Sequence, residues 1–181
     1  MDFDIFPNGS LQQDWKEIDP QYQQIVIDAL DRKMDLDIQN SDMSHAIFLI
    51  YILIKKAKKK IRIFTGKLWD GFYNDSRISK VFEEAVNKGV NIEIIIESGK
   101  IKDIPKCISN KVKLFHMNKK NPLKNHIIIS DDESFRIEQP HKDSDLKSRS
   151  IKAIVNFNSP DIAKKMGEFF DNHLRGEEII T

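Results

Sequence analysis

The apolar residues of this chain form two kinds of pattern. Some recur with the spacing of an amphipathic helix, and others form short runs rich in isoleucine, valine and phenylalanine, which are typical of buried strands. The stripes predict helices over residues 21–37, 44–59, 76–88 and 159–174. The runs predict strands over residues 61–65, 92–96, 111–116, 126–130, 134–137 and 151–157. From residue 44 the order is helix, strand, helix, five strands and helix, which predicts an α/β fold with a mixed β-sheet flanked by helices.

The connections between these elements carry their own signals. The helix between strands 61–65 and 92–96 predicts a right-handed crossover with the two strands parallel. The acidic triplet Asp131-Asp132-Glu133 predicts a tight hairpin connection. Asn40-Ser41-Asp42 predicts a turn that also caps the next helix. Residues 142–150 are polar and charged, and we expect a loop there.

Charge divides the chain into two parts. Residues 1–40 contain nine acids and three bases, a net charge of 3 − 9 = −6. The rest of the chain contains 26 bases and 19 acids, a net charge of +7. We therefore predict an acidic helical arm over residues 1–43 and an α/β domain over residues 44–181. The charges are compatible with docking of the arm onto the body or onto a second copy, and equally with two separately solvated faces.

Composition excludes several classes of protein. The single cysteine, Cys107, cannot form an intramolecular disulfide, and it excludes a cysteine-rich zinc module. The start of the chain is acidic, unlike the cationic start of a signal peptide. The apolar run over residues 46–54 is far shorter than the roughly 20 residues needed to span a bilayer. We expect a cytoplasmic protein without membrane contact, and we predict neither a cofactor nor a metal ion.

The ends of the α/β region resemble a known family. Residues 58–66, the helix end at residues 87–90 and the strand at residues 91–96 resemble the opening of a phospholipase D-like domain. Residues 154–163, followed by a helix that contains Phe169-Phe170, are similar to that family's closing strand and helix. The resemblance covers roughly residues 44–175. It implies a phospholipase D-like fold.

The family's catalytic motif is histidine, any residue, lysine, four residues and aspartate, followed by glycine–serine and asparagine. The resemblance implies cleavage of phosphodiesters through a phosphohistidine, with a second histidine as the proton donor. Such chemistry needs a nucleophile, an acid and cationic groups around the phosphoryl centre. Two copies of the motif face each other in the family, so a chain with one copy is expected to form a homodimer.

This chain keeps only part of that motif. His126 stands at the start of the corresponding strand, but Ile128 occupies the lysine position and Glu133 the aspartate position. Residues 137–141 replace the glycine–serine region. Isoleucine neither donates a hydrogen bond nor carries charge, so the motif is degenerate and the expected activity is weakened or lost. The tripeptide His141-Lys142-Asp143 contains the family's letters without the spacing that would bring them to one strand face.

The candidate site is therefore centred on His126 as the catalytic residue. The lysine two positions before it lies on the same strand face and is a candidate substitute cation. A basic segment in residues 111–124 is a candidate for phosphate contacts. The candidate binding residues are Lys119, Lys120, Lys124, Glu138, His141 and Arg149. His116, His126 and His141 lie near successive strands, so a metal or acid–base site built from histidines is an open alternative.

Three functional hypotheses follow from this pattern. The first is a weakened or inactive phospholipase D-like domain that binds a phosphate-bearing ligand (nucleic acid or nucleotide) or a protein partner, as a homodimer. The second is an active phosphodiesterase or nuclease in which two chains each contribute His126. The third is a protein interaction or scaffold module that uses the fold alone. Ile128 favours the first and third hypotheses, and His126 favours the first and second.

Overall fold

The computed structural model describes residues 15–66, 68, 70–97, 108, 112–117, 126–139, 150–174 and 178–180. Within these residues the helices are α1 (Pro20–Asp31), α2 (Met43–Lys56), α3 (Asp70–Tyr73), α4 (Ser76–Asn87) and α5 (Pro160–His173). The strands are β1 (Ile38–Asp42), β2 (Lys60–Thr65), β3 (Asn91–Ile96), β4 (Lys113–His116), β5 (His126–Ser130), β6 (Ser134–Glu138), β7 (Ser150–Asn156) and β8 (Glu178–Ile180). The predicted α/β class is confirmed.

All eight described strands belong to one mixed sheet with the order β1-β7-β6-β5-β2-β3-β4-β8. Strand β2 runs parallel to β3, and β3 runs parallel to β4. The other neighbouring pairs are antiparallel. The parallel arrangement predicted for the strand–helix–strand unit is therefore confirmed. The antiparallel half is a meander of β5, β6 and β7, closed by β1.

The sheet separates two apolar clusters because alternate residues of a strand point to opposite faces. On one face, Ile63 and Ile128 belong to the large core that includes α1, α2 and α4. On the other face, Phe64 and Ile127 pack with Ala163 and Phe170 of α5. We call these the α2 face and the α5 face. Helix α2 is nearly all apolar because it lies inside the larger core, where nine of its residues are buried.

The described part of the acidic arm docks on the α2 face. Trp15 is only 2% exposed, and its ring makes edge contacts with Phe48 and Tyr51 of α2. The guanidinium of Arg77 lies 4.1 Å from the centre of the Trp15 ring and also binds Glu17. Acidic and aromatic residues of the arm therefore meet a basic residue of the body, which favours the docking alternative over separately solvated faces.

Residues 38–42 differ from the sequence prediction. They form a strand because β7 offers a complete partner, with Ile38 opposite Val155 and Asn40 opposite Ala153. The predicted cap is nevertheless present, since the Asp42 carboxylate accepts a hydrogen bond from the backbone N–H of His45. The division at residue 43 stays a prediction, although residues 15–42 lie against and partly within the same sheet.

Other boundaries differ by a few residues. Helix α1 ends at Asp31 rather than residue 37, and Lys33 then adopts a φ of 49°. Helix α4 begins at Ser76 as predicted, is capped by the Asp75 side chain and ends at Asn87 rather than residue 88. Strand β8 was not predicted, because three residues are too few to show a pattern without their partner β4. Within the described residues no helix is long and apolar enough to cross a membrane.

Candidate functional site

The carboxyl ends of the parallel strands β2, β3 and β4 meet at one edge of the sheet, where α/β proteins commonly bind ligands. His126 is the first residue of the antiparallel β5 and therefore lies at the same edge. Strand register places His126 in a row of directly paired residues that crosses the sheet on the α2 face. From one side to the other the row contains Asn40, Ala153, Glu138, His126, Thr65, Ile96 and His116.

His126 is held by the end of β2. Its Nδ1 lies 2.7 Å from the hydroxyl oxygen of Thr65, a residue that is 1% exposed. The hydroxyl accepts a hydrogen bond from a protonated Nδ1 and donates one to an unprotonated Nδ1, so this bond fixes the orientation of the ring with either tautomer. A Cβ added at Gly66 would lie 4.0 Å from Nε2 and meet nothing nearer. That distance is an ordinary van der Waals contact, so Gly66 lies next to the imidazole ring.

Ile128 lies on the same face as His126, one row deeper. It is 4% exposed and pairs with Ile63 on one neighbouring strand and with Arg136 on the other. It is the position at which the resemblance to the phospholipase D-like motif implies lysine. The side chain packs in the main core and offers no hydrogen bond to a ligand.

Arg136, on the strand next to Ile128, carries a charge into this region. It is 1% exposed, and its Nη1 donates to Oε2 of Glu138 over 2.9 Å. Glu138, itself 6% exposed, stands directly opposite His126. The guanidinium thus extends along β6 from the Ile128 row towards the His126 row. A contact of 3.5 Å joins Nη2 to the side-chain oxygen of Asn40.

Two further polar groups surround this row. The Tyr22 hydroxyl donates to the backbone oxygen of Gln39. Burial and the charge of Asp42 raise the pKa of Tyr22, although the charge of Arg136 acts in the opposite direction. Glu97 follows β3 and is fully buried, and its backbone N–H donates to the backbone oxygen of Thr65. The α2 face of the site edge therefore combines a histidine, an arginine and the buried carboxylate of Glu138.

The acidic turn after β5 lies at the other end of the strand. Asp131 accepts hydrogen bonds from the backbone N–H groups of Lys58, Lys59 and Lys60. Asp132 binds Arg62 on the α5 face. Since the turn begins five residues after His126, the two are separated by about 16 Å of strand. These acids support the fold and do not contact the candidate site.

The structure describes only part of the predicted site. His126 and Glu138 are opposite each other, as adjacent site residues should be. Lys119, Lys120, Lys124, His141 and Arg149 lie outside the described residues. His116 occupies the same row but is three strands from His126, a separation of about 14 Å. The described residues contain no group of histidine, cysteine and acidic side chains able to hold a metal ion.

Sequence reasoning missed Thr65, Asn40 and Arg136. Arg136 alternates with Phe135 and Ile137, which predicts an outward-facing arginine, so no sequence signal indicated its burial. Thr65 and Asn40 had no signal either. They are 61 and 96 residues away from the groups they contact, and only the sheet register joins them.

No family model and no curated protein matches the sequence of this chain. Solved structures do match its fold. Nuc of Salmonella typhimurium, a phospholipase D family member, aligns with a TM-score of 0.59 at 17% identity over 80% of this chain and 99% of its own. NucT from Helicobacter pylori aligns with a TM-score of 0.55 at 13% identity over the same shares. TrmBL2, an archaeal chromatin protein with a novel mode of DNA binding, aligns with a TM-score of 0.60 at 13% identity over 97% of this chain and 71% of its own. The chain therefore has the predicted phospholipase D-like fold.

Proposed function

We propose that this phospholipase D-like fold binds a phosphate-bearing ligand, a nucleic acid or a nucleotide, at the His126 edge and has little or no hydrolytic activity. The observation that carries the proposal is the buried Ile128 beside an ordered His126. A protein partner at this edge is the alternative occupant. A homodimer remains part of the proposal, because the family site requires two copies of the motif.

The loss of activity follows from charge. A phosphoryl transition state gathers negative charge that nearby cations must stabilise. Ile128 supplies none, and Arg136 already binds a carboxylate 2.9 Å away. The absence of one such cation typically lowers the rate on the order of 10²-fold or more.

The retained groups support binding. Thr65 orients His126, and an imidazole that can donate a hydrogen bond is a suitable contact for a phosphate oxygen. Arg136 adds a positive charge close to this row, and the predicted lysines Lys119, Lys120 and Lys124 would extend the basic surface. TrmBL2, whose fold matches nearly the whole chain, is itself a DNA-binding protein. Nucleic acid is therefore the first ligand to test.

The direct experiment measures binding and turnover on one preparation. We expect salt-dependent binding of single- or double-stranded oligonucleotides, weakened about tenfold by His126→Ala, and no turnover of bis(p-nitrophenyl) phosphate above background. His173→Ala is the matched control, because His173 lies on α5 at the opposite face and binds the backbone of its own helix. Equal oligonucleotide affinity of the natural chain and of His126→Ala would contradict the proposal.

One observation favours the second candidate, an active phosphodiesterase built from two chains. The hydrogen bond from Thr65 holds the His126 imidazole in one orientation, as a nucleophile requires. This candidate predicts measurable turnover that His126→Ala abolishes, together with a dimer in light scattering. A monomer, or two His126 side chains too far apart to share one phosphate, would eliminate it.

A further inference from the structure

We infer that Arg136 is the anion-binding residue of the His126 site and that Glu138 is an internal carboxylate competing with the ligand for it. This inference rests on the proposed function and deepens it. It replaces the cation missing at Ile128 with one from the neighbouring strand, and it identifies the ligand group as a phosphate oxyanion.

Position is the first support. Arg136 is the direct cross-strand partner of Ile128, and both lie on the α2 face with His126. Side chains opposite each other in an antiparallel pair start about 5 Å apart. The guanidinium then extends towards Glu138, which stands opposite His126. The charge lost at one strand position is therefore present beside it.

The unused donors are the second support. A guanidinium has five N–H groups. Arg136 uses Nη1 for Glu138, and the contact of Nη2 with Asn40 is long at 3.5 Å. Its Nε is buried and finds no acceptor among the described residues. Buried donors are rarely left unpaired, because burial removes the water that would otherwise satisfy them. Arg136 therefore has N–H groups left to donate to an oxyanion, and binding one need not break a complete set of hydrogen bonds.

The third support is the kind of partner that Glu138 provides. It offers one oxygen to Arg136, whereas a carboxylate or phosphate that faces a guanidinium commonly accepts two parallel bonds. A phosphate oxygen beside His126 would compete with Glu138 for the same cation. The carboxylate in this position makes the ligand-free site electrically compensated, and it opposes anion entry by charge repulsion.

The test compares three chains by calorimetric titration with inorganic phosphate and with a single-stranded oligonucleotide at fixed salt. Glu138→Gln removes the competing charge and is expected to tighten binding about fivefold to tenfold. Arg136→Met with Glu138→Gln removes the whole pair and is expected to weaken binding at least about tenfold relative to Glu138→Gln. The matched control is Arg62→Met with Asp171→Asn, which removes a buried arginine pair from the α5 face and should leave binding unchanged.

The outcomes separate this inference from the proposed function. If the natural chain binds and the Arg136 double variant binds equally well, the inference falls and the proposed function stands. If only Glu138→Gln binds, Arg136 is the anion-binding residue and the proposed function of the natural chain falls. If no chain binds, both fall. Should the double variant fail to fold, Arg136→Gln with Glu138→Gln replaces it, because glutamine keeps a polar side chain in place of the arginine. Binding as tight as that of Glu138→Gln would then overturn the inference.

Discussion

Two arginines are buried in the described sheet, one on each face, and they are used differently. Arg62 on the α5 face donates from Nε and Nη2 to the two oxygens of Asp171, both over 3.0 Å, and from Nη1 to Asp132. Arg136 on the α2 face makes one short bond, to Glu138. The carboxylates around Arg62 are about half exposed, whereas Glu138 is almost fully buried.

The difference between them separates a structural arginine from a candidate binding residue. The bonds to Arg62 join β2, the β5–β6 turn and α5, and they hold the last helix against the sheet. Burial acts to lower the pKa of Arg62, but the hydrogen bonds that Arg62 donates to Asp171 and Asp132 outweigh it and raise that pKa. Arg136 joins no helix to the sheet in this way. Its unfilled donors lie next to the edge where His126 begins β5.

The largest effect is expected for Arg136→Met. This change removes the Arg136 cation from the buried Glu138 carboxylate, which should lower the free energy of unfolding by about 3–5 kcal/mol. Adding Glu138→Gln removes the buried negative charge and should restore most of the loss. Urea unfolding followed by circular dichroism measures both. A loss below about 1 kcal/mol for the single variant would mean that Glu138 has other adequate partners.

Arg62→Met should lower the free energy of unfolding by about 1.5–3 kcal/mol, less than Arg136→Met, although Arg62 makes more hydrogen bonds than Arg136. Asp132 and Asp171 are 49% and 46% exposed, so water can solvate them when the arginine is removed. The same urea experiment gives the value. If Arg62→Met proved more damaging than Arg136→Met, the exposure of the partners would not be the deciding factor.

Gly167→Ala is expected to change stability by about 1 kcal/mol, with a sign that depends on Arg62. A Cβ at Gly167 would lie 2.9 Å from Asp132 Oδ1 and 3.1 Å from Arg62 Nη1, so both groups would have to move to admit alanine. We therefore expect Gly167→Ala to destabilise a chain that is otherwise natural. In an Arg62→Met background the crowding is relieved, and alanine's better helix propensity should make the same change stabilising. A double-mutant cycle by thermal unfolding tests this reversal, and equal effects in both backgrounds would refute it.

The smallest effect concerns pH. Partial burial acts to raise the pKa of Asp171, but the hydrogen bonds and charges of Arg62 and Lys60 outweigh it, so the folded pKa is lowered from its usual 3.8. The stabilisation is present above the unfolded pKa and is lost as pH falls through the lower folded value. Because the carboxylate is about half exposed, we expect under about 1 kcal/mol.

The urea midpoint of unfolding should decrease more between about pH 6 and about pH 3 for the natural chain than for Asp171→Asn. Glu168→Gln, on the same helix α5, is a control with an exposed carboxylate. Equal pH dependence in the natural chain and Asp171→Asn would show that the Arg62 contact contributes nothing to acid stability.

Much of the fold was predictable from local pattern. The strand His126–Ser130 has its predicted bounds, and α2 and α4 lie within or close to their predicted ranges. The failures share a cause. Residues 38–42 contain turn-forming types and became a strand because β7 pairs with them, and β8 exists only because β4 does. Tertiary pairing overrides weak local preference.

The candidate site was predictable only in part. His126 and the apolar Ile128 two positions after it were visible in the sequence. The identity of the residue opposite Ile128 was not, because a one-residue change of register would turn Arg136 to the other face of the sheet. The same register decides that Thr65, from a strand 61 residues earlier, orients the imidazole.

The sequence by itself determined the α/β class, most of the elements from α2 onward and the choice of His126 as the candidate site residue, because periodicity and motif spacing are properties of neighbouring residues. Only the tertiary structure decided that the acidic turn lies away from His126, that Arg136 and Glu138 lie beside it, and that the two buried arginines occupy opposite faces. These are contacts between distant parts of the chain, and strand order and register, which no single segment encodes, determine them.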